Sequence, residues 1–261
     1  MHKAVERPPA VNLLPAINHV PLLRPLRWLR QAMRDLFKAP VACLFYGQVF
    51  ALLELWLHWL FVHAPHQIIT LATGLMLLGP FLATGLYDIG RRLELGEKRV
   101  LLPSLTAWKA NLSGIGLFAM ILALTFAGWM RVSVVLFALL YTDQVPTLDD
   151  MFSTTFFTTG NIAFLLAYFS CGALFALLVF AISVISMPML LDRNSDTLTA
   201  IFASVQAMLR NPLAMCVWGL CIALLSFAGI ALYYAGLIIS MPLLGLASWH
   251  AYRDIVAAPA D

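Results

Sequence analysis

Four residues with metal-ligating side chains lie close together in the sequence, at Glu54, His58, His63 and His66. Glu54 and His58 are four residues apart, so on a helix they would share one face. Carboxylate and imidazole groups are ligands for zinc, copper or iron. Pro65 interrupts the spacing, and no second cluster of ligands accompanies these residues. We therefore expect a polar cap at the outer surface, with metal binding as the weaker alternative, and we expect no cofactor.

Two ionisable residues, Glu54 and Arg131, fall inside apolar sequence. A charge within a bilayer costs at least about 2.5 kcal/mol unless it is paired. Glu54 lies in the outer half of the first apolar run and Arg131 ends the third, so the two could pair at similar depth. Such a pair would be either structural or one wall of a polar pocket.

The elements that must position these residues follow from the composition. Of the 261 residues, 62% are apolar and 11% are charged, and the mean hydropathy is +0.88. A soluble domain is about half apolar and about a quarter charged, whereas a bilayer accepts runs of about 20 apolar residues. We predict an all-α polytopic membrane protein with six transmembrane helices, at 40–62, 67–88, 112–130, 163–190, 213–230 and 232–250.

The remaining segments are predicted from their length and composition. The last two runs are almost fused, and only the Gly229 region offers a turn between them. The segment 132–141 is too short to span, so we expect it to form an outer re-entrant or interfacial cap with 148–157. Residues 1–20 are predicted as a flexible cytoplasmic tail, 21–256 as a single membrane domain and 257–261 as a second tail.

Basic residues lie almost entirely on one side of this predicted membrane. Of the 16 lysines and arginines, 15 fall before the first run, between the second and third, between the fourth and fifth, or after the last. Arg131 is the exception. The positive-inside rule places those segments, and both termini, in the cytoplasm. We expect a multi-pass protein of the bacterial inner membrane, and no nucleic-acid binding, since no basic groove interleaved with aromatic residues is present.

The segment 22–38 is predicted to form an amphipathic helix before the first run. Its apolar residues gather on one face, and its basic residues recur every three or four positions on another, at Arg24, Arg27, Arg30, Arg34 and Lys38. Such a helix lies on the inner leaflet, where each basic residue near anionic lipid gains about 1 kcal/mol. Anionic lipid is the expected partner, and a docking surface for another protein is the alternative.

Prolines indicate an internal repeat. Pro80, Pro188 and Pro242 each lie in the cytoplasmic half of an even-numbered run, and a leucine follows each two residues later. We predict three copies of one helical hairpin with its own interfacial amphipathic helix, over about 22–88, 103–190 and 197–252.

Each of these prolines would kink its helix. A proline removes the bond to the carbonyl four residues earlier, and these carbonyls belong to Met76, Val184 and Ile238. In lipid they must find another partner. The kinks would either surround a small inward-facing cavity or only let each helix pack around its neighbours.

Four stretches resemble a bacterial family of uncharacterised multi-pass integral membrane proteins, a domain-of-unknown-function family. They are PLRWLRQAMRDLFKAP at 25–40, GPFLATGLYDIGRRLELGE at 79–97, SMPMLLDRNSDTLTAI at 186–201 and PLLGLASWHAYRDIV at 242–256. The resemblance implies an inner-membrane protein of unknown activity. Some members carry automatic labels that link them to cytochrome oxidase subunit I. That subunit needs about a dozen helices and several intramembrane histidines, which this sequence does not provide.

No catalytic motif is present in the sequence, whether a phosphate-binding glycine loop, a nucleophile elbow or a zinc-protease helix. We therefore predict no enzyme activity and assign no catalytic residue. The favoured function is a scaffold, or an accessory or assembly factor, whose partner is another membrane protein or a respiratory complex. The alternative is a small transporter or lipid-handling protein with a cavity at the kinked even-numbered helices.

Overall fold

The computed structural model describes residues 15–63, 68–140, 162–193 and 195–258. The all-α class predicted from the sequence is confirmed for these residues. The helices are α1 Arg24–Lys38, α2 Pro40–His63, α3 Ile68–Glu94, α4 Leu101–Ser104, a 3₁₀ turn at Ala107–Asn111, α5 Leu112–Leu140, α6 Ile162–Ser183, α7 Ser186–Arg193, α8 Thr197–Arg210, α9 Pro212–Ala231 and α10 Leu237–Ile255.

Within the described ranges, four segments are long and apolar enough to cross a membrane. They are Pro40–Leu60, Ala107–Leu140, Ile162–Arg193 and Pro212–Ala231. These four agree with the first, third, fourth and fifth apolar runs. Helices α3 and α10, which correspond to the second and sixth runs, are not among them, so the count of six spans stays a prediction.

Helix α5 is longer than the sequence analysis predicted. One continuous helix runs through Arg131 to Leu140, so the prediction of a separate short segment at 132–141 was wrong. The physical reason is that residues 131–140 contain neither proline nor glycine, and nothing in them ends a helix. The other part of the predicted outer cap, 148–157, lies outside the described residues.

The turn between the last two helices also differs from its predicted position. Gly229 lies inside α9, and the chain reverses over 232–236. Tyr233 and Tyr234 take positive φ angles of 51° and 64° to make this reversal. A Cβ atom on Gly236 would stand 2.8 Å from the Cα of Gly229. The two glycines therefore allow α9 and α10 to touch, as small residues do in membrane helix pairs.

The two terminal segments pair at one end of the bundle. Ile17 and Val256 form an antiparallel bridge, and the Asn18 N–H donates to the Ile255 carbonyl at 2.7 Å. Ile17 and Val20 are buried. Residues 15–20 thus belong to the folded domain although they were predicted to be part of a tail, because their apolar side chains find a partner in the C-terminal segment. Residues 1–14 are not described.

Helix α1 has three faces instead of the two that the sequence predicted. It packs mainly against α10, which also contacts α2, α3 and α9. The face towards the protein buries Trp28, Ala32, Asp35 and Leu36. A second face exposes Leu26, Met33 and Phe37, and a third exposes Arg27, Arg30 and Arg34. Leu36, one of the apolar residues of the segment 22–38, thus lies on the buried face and apart from the exposed apolar residues.

The break between α6 and α7 falls at Val184 and Ile185, and Pro188 lies in the first turn of α7. Ser204 of α8 bridges this break. Its hydroxyl donates to the Ala181 carbonyl at 2.7 Å and accepts from the Ile185 N–H at 3.2 Å. A serine side chain from a neighbouring helix therefore satisfies backbone groups that a broken helix leaves unpaired.

Candidate functional site

The charged and polar aromatic side chains at the end where the terminal segments pair form several neighbouring groups of hydrogen bonds and ion pairs, here together called the polar layer. The last two turns of α10 supply its centre, at Trp249, His250, Tyr252, Arg253 and Asp254. The other members come from α1, α3 and α7: Arg24, Trp28, Asp35, Lys38, Asp88, Arg91, Arg92, Glu94, Asp192 and Arg193.

Asp254 joins α10 to the start of α1. Its carboxylate accepts from the Arg24 Nε at 2.7 Å and from the Trp28 indole N–H at 2.7 Å. The backbone carbonyl of Asp254 also accepts from the Asn18 side chain at 3.1 Å. Burial works to raise the pKa of the Asp254 carboxyl, but the hydrogen bonds from Arg24 and Trp28 outweigh it, and the pKa lies below its ordinary value.

Asp35 joins the end of α1 to α10. It is buried, and its two carboxylate oxygens contact the Lys38 Nζ at 2.7 Å and the His250 Nε2 at 2.8 Å. Burial again works to raise the pKa of this carboxyl. The hydrogen bonds from His250 and Lys38 overcome that effect, so the pKa of Asp35 is lowered.

Tyr252 joins α10 to α7. Its hydroxyl donates to Asp192 at 2.7 Å and accepts from the Arg193 Nε at 2.8 Å. The Arg193 guanidinium also donates to the Ala257 carbonyl. Burial and the neighbouring Asp192 carboxylate raise the pKa of Tyr252, so the phenol stays a hydrogen-bond donor at neutral pH.

Asp88 at the end of α3 is fully buried. Arg91 and Arg92 each contact it at 2.6 Å. Charges at the end of an apolar run ordinarily form a solvated flank, but here the Asp88 carboxylate is enclosed. The reason is geometric: the two arginines follow three and four residues later, so they lie over the carboxylate on one helix face. Because two arginines pair with it, the buried Asp88 carboxylate avoids the large free-energy cost of an unpaired buried charge.

Glu94, one turn beyond Arg91, completes the contact between α3 and α10. It accepts from the Trp249 indole N–H at 3.1 Å and pairs with Arg253 at 3.2 Å. The polar layer thus ties α10 to α1, α3 and α7 through matched donors and acceptors. This arrangement fixes helix ends relative to one another and leaves the carboxylates occupied by protein donors.

The structure does not bring Glu54 and Arg131 together. Helix α2, which carries Glu54, packs against α3 and α10, whereas α5, which carries Arg131, packs against α3 and α6. Glu54 is half-buried and Arg131 is exposed. Across the described part of the chain, the two residues form no ion pair.

The histidines of the predicted polar cap have other contacts. His63 stacks on Trp59 with ring centroids 4.7 Å apart, and its Nδ1 contacts the Trp59 carbonyl at 2.9 Å. His58 lies near Tyr234, 5.6 Å between centroids. His66 lies outside the described residues. Among the residues that are described, no group of three His, Cys, Asp or Glu side chains is placed to hold a metal ion.

The prolines predicted to kink even-numbered helices occupy different settings. Pro80 lies within α3 and Pro242 within α10, whereas Pro188 follows the break before α7. Beside that break is a cavity of about 380 Å³, lined in part by Val184, Met187 and Tyr87. Trp218 also lines it, and its buried indole N–H has no acceptor in the described part of the chain.

Most of the polar layer was not predicted as a site. Its members looked like scattered flanking charges because their partners are far apart in the sequence, as with Arg24 and Asp254. One signal was present: each of the four stretches that carry the family resemblance contributes residues to the layer. Trp28 comes from the first, Asp88 from the second, Asp192 from the third and Asp254 from the fourth.

Comparison with known proteins supports the class of the molecule. Residues 68–192 match the family model described as "Predicted integral membrane protein (DUF2189)". This match confirms the resemblance to a family of membrane proteins of unknown function. The matched range begins with α3 and ends in α7, so it contains Asp88 and Asp192 of the polar layer. Neither a curated protein nor a solved structure matches the chain.

Proposed function

We propose that this chain, whose residues 68–192 match the model of the predicted integral membrane proteins of DUF2189, is a non-enzymatic scaffold or accessory factor of a larger membrane complex. The observation that carries this proposal is the fixed position of α1. Trp28 and Asp35 hold it on α10, while Arg27, Arg30 and Arg34 are exposed on its third face. Because the helix that carries the three arginines is already held, an acidic partner must order only their side chains and not the helix itself.

The proposed setting is the bacterial inner membrane, with six transmembrane helices and both termini in the cytoplasm. The positive-inside rule supports this orientation. Arg24, Lys38, Arg91, Arg92, Arg193 and Arg253 all belong to the polar layer. The exposed apolar face of α1 would then lie in the inner leaflet beside the basic face.

We also propose the three-copy hairpin organisation, which the helix junctions support in part. Ala39 and Asn211 stand between an interfacial helix and a membrane run, with φ/ψ of −132°/55° and −129°/49°. A proline opens the following helix in both, at Pro40 and Pro212. In the middle copy, Asn111 occupies the corresponding position before the membrane run. Its side-chain amide donates to the Leu190 and Ser195 carbonyls.

Purification in a mild detergent tests the scaffold function. We expect a membrane protein to co-purify in stoichiometric amount with the wild-type chain. The variant R27Q/R30Q/R34Q should lose that protein with little change in melting temperature, because none of the three arginines forms an ion pair in the polar layer and Arg27 adds only a longer-range attraction to Asp254. The matched control R27K/R30K/R34K keeps the charge and should retain the partner. A wild-type chain that purifies as a clean monomer would contradict the proposal.

The cavity beside the break before α7 favours a second candidate function, a small transporter or lipid-handling protein. Its walls are mostly apolar, and the unpaired Trp218 N–H would suit a ligand with one acceptor group. Cysteine substitution at Met76, Val184 and Ile238 in a cysteine-free background tests this candidate. Labelling by a water-soluble maleimide at Val184 would support a water-accessible cavity, and complete protection at all three positions would exclude it.

A further inference from the structure

A second cavity, of about 350 Å³, lies where the first apolar run begins. Two stretches of chain line it. Residues 38–42 run from the end of α1 into the start of α2, and residues 98–102 run from the connection after α3 into α4. It is separate from the cavity beside α7, and neither the polar layer nor the proposed docking face of α1 requires it to be occupied.

The charge of this cavity is positive. Lys38, Lys98 and Arg99 line it, and no acidic residue does. Asp35 already holds the Lys38 ammonium, and the nearest acid in sequence, Glu97, is paired with Arg92 at 2.8 Å. Within the described part of the chain, Lys98 and Arg99 have no ion-pair partner. Two cations in this cavity therefore lack a counter-charge.

The remaining wall of the cavity is apolar. Val41 and Leu102 are 73% and 78% exposed, and Pro40 is the first residue of a segment able to cross a membrane. The cations thus stand at the polar edge of the first span, and the apolar side chains continue in the direction of the hydrocarbon. An inorganic anion or an acidic peptide would pair with the two cations, but it would leave the apolar wall of the cavity exposed to solvent.

We propose that this cavity binds one anionic phospholipid of the inner leaflet, with the headgroup phosphate between Lys98 and Arg99 and an acyl chain along Val41 and Leu102. Basic pockets between membrane helices on the cytoplasmic side hold such headgroups. The guanidinium of Arg99 can donate two parallel hydrogen bonds to one phosphate. The cavity volume suits the headgroup and the glycerol of one lipid. The acyl chains therefore lie outside the cavity, on the exposed apolar surface.

Native mass spectrometry of the full chain, titrated in detergent with phosphatidylglycerol, tests this site. Each basic residue near an anionic headgroup contributes about a factor of five, so K98Q/R99Q should bind the lipid about thirtyfold more weakly than the wild type. The variant K98R/R99K keeps both charges and should bind like the wild type. The variant K109Q removes one exposed charge that does not line the cavity, and it should also bind like the wild type.

Four outcomes would overturn the site. Wild-type affinity in K98Q/R99Q would show that the two cations do not hold the lipid. A loss of about fivefold in K109Q would show diffuse attraction to the whole basic surface. Displacement of the lipid by inorganic phosphate at equal concentration would assign the cavity to a free anion. Phosphatidylcholine serves as the neutral lipid, and affinity equal to that of phosphatidylglycerol would also overturn the proposal. None of these results bears on co-purification of a partner protein.

Discussion

The carbonyl oxygen of Ile238 in α10 lies directly against Gly47 in α2, where a Cβ atom would stand 2.0 Å from it. Pro242, four residues later, has no N–H to bond that carbonyl. The carbonyl that Pro242 leaves without its helix bond therefore lies in close contact with α2, and glycine permits the approach.

The substitution G47A should destabilise the protein. The added methyl group would overlap backbone atoms, which cannot rotate away, so the two helices must separate at a cost of about 2 kcal/mol. Thermal unfolding in detergent, followed by the fluorescence of the buried tryptophans, measures the change. G116A is the control because nothing lies within 4 Å of a Cβ atom at that position. Equal melting temperatures for the two variants would contradict the close approach.

The substitution S204A should loosen the junction between α6 and α7. It removes the hydroxyl that serves both the Ala181 carbonyl and the Ile185 N–H, and each unpaired buried group costs about 1–3 kcal/mol. A lower melting temperature and faster amide hydrogen exchange at 181–186 are expected. T125A, whose hydroxyl bonds only the Ile121 carbonyl of its own helix, should change little. Unchanged exchange in S204A would show that the break is held by other contacts.

Arg24 and Asp254 should be energetically coupled. Their side chains are 28% and 27% exposed, and Asp254 also accepts from Trp28, so loss of the carboxylate leaves two donors unsatisfied. A double-mutant cycle with R24A and D254A should give a coupling free energy of about 1 kcal/mol. Chemical or thermal unfolding of the four proteins in detergent supplies the values. Strictly additive effects would mean that the pair contributes nothing beyond its separate groups.

Acid should weaken the contact between α1 and α10. The pKa values of Asp35 and Asp254 are lowered from 3.8 in the folded protein, so the unfolded chain binds these protons more readily. Their stabilising effect is complete above about pH 4 and is lost as the pH falls through the folded pKa values. Melting temperature measured from pH 7 to pH 3 should fall at the acid end, and D254N should show a shallower fall. Parallel curves for D254N and the wild type would contradict this origin.

Apolar periodicity predicted the positions of most helices, because a run of about 20 apolar residues has few other stable forms in a membrane. The predicted bounds of α1 and α2 agree with those in the structure to within two residues. Apolar periodicity misplaced the turn at Gly229, since a glycine that permits helix contact is indistinguishable in the sequence from one that permits a turn. It also divided α5 at Arg131, because a charge ends an apolar run without ending a helix.

Most pairings in the polar layer could not be predicted from the sequence, for a different reason. Asp88 has its arginines three and four residues away, so its pairing could be anticipated from the sequence. His250 finds Asp35 across a separation of 215 residues, and Trp28 finds Asp254 across 226. Only the packing of α1 on α10 brings those pairs together, and local patterns carry no information about it.

The pairing of the two terminal segments has a consequence for the order of synthesis. The first described residues to leave the ribosome, 15–20, bond to the last, and Asn18 reaches Asp254 over 236 positions of sequence. Chains are made from the N-terminus, and contacts this distant form late. The side chains of α1 that face α10 must therefore wait until α10 has been made. A chain truncated before α10 would expose Trp28 and Asp35. Quality-control proteases could recognise these exposed side chains as the mark of an unfinished molecule.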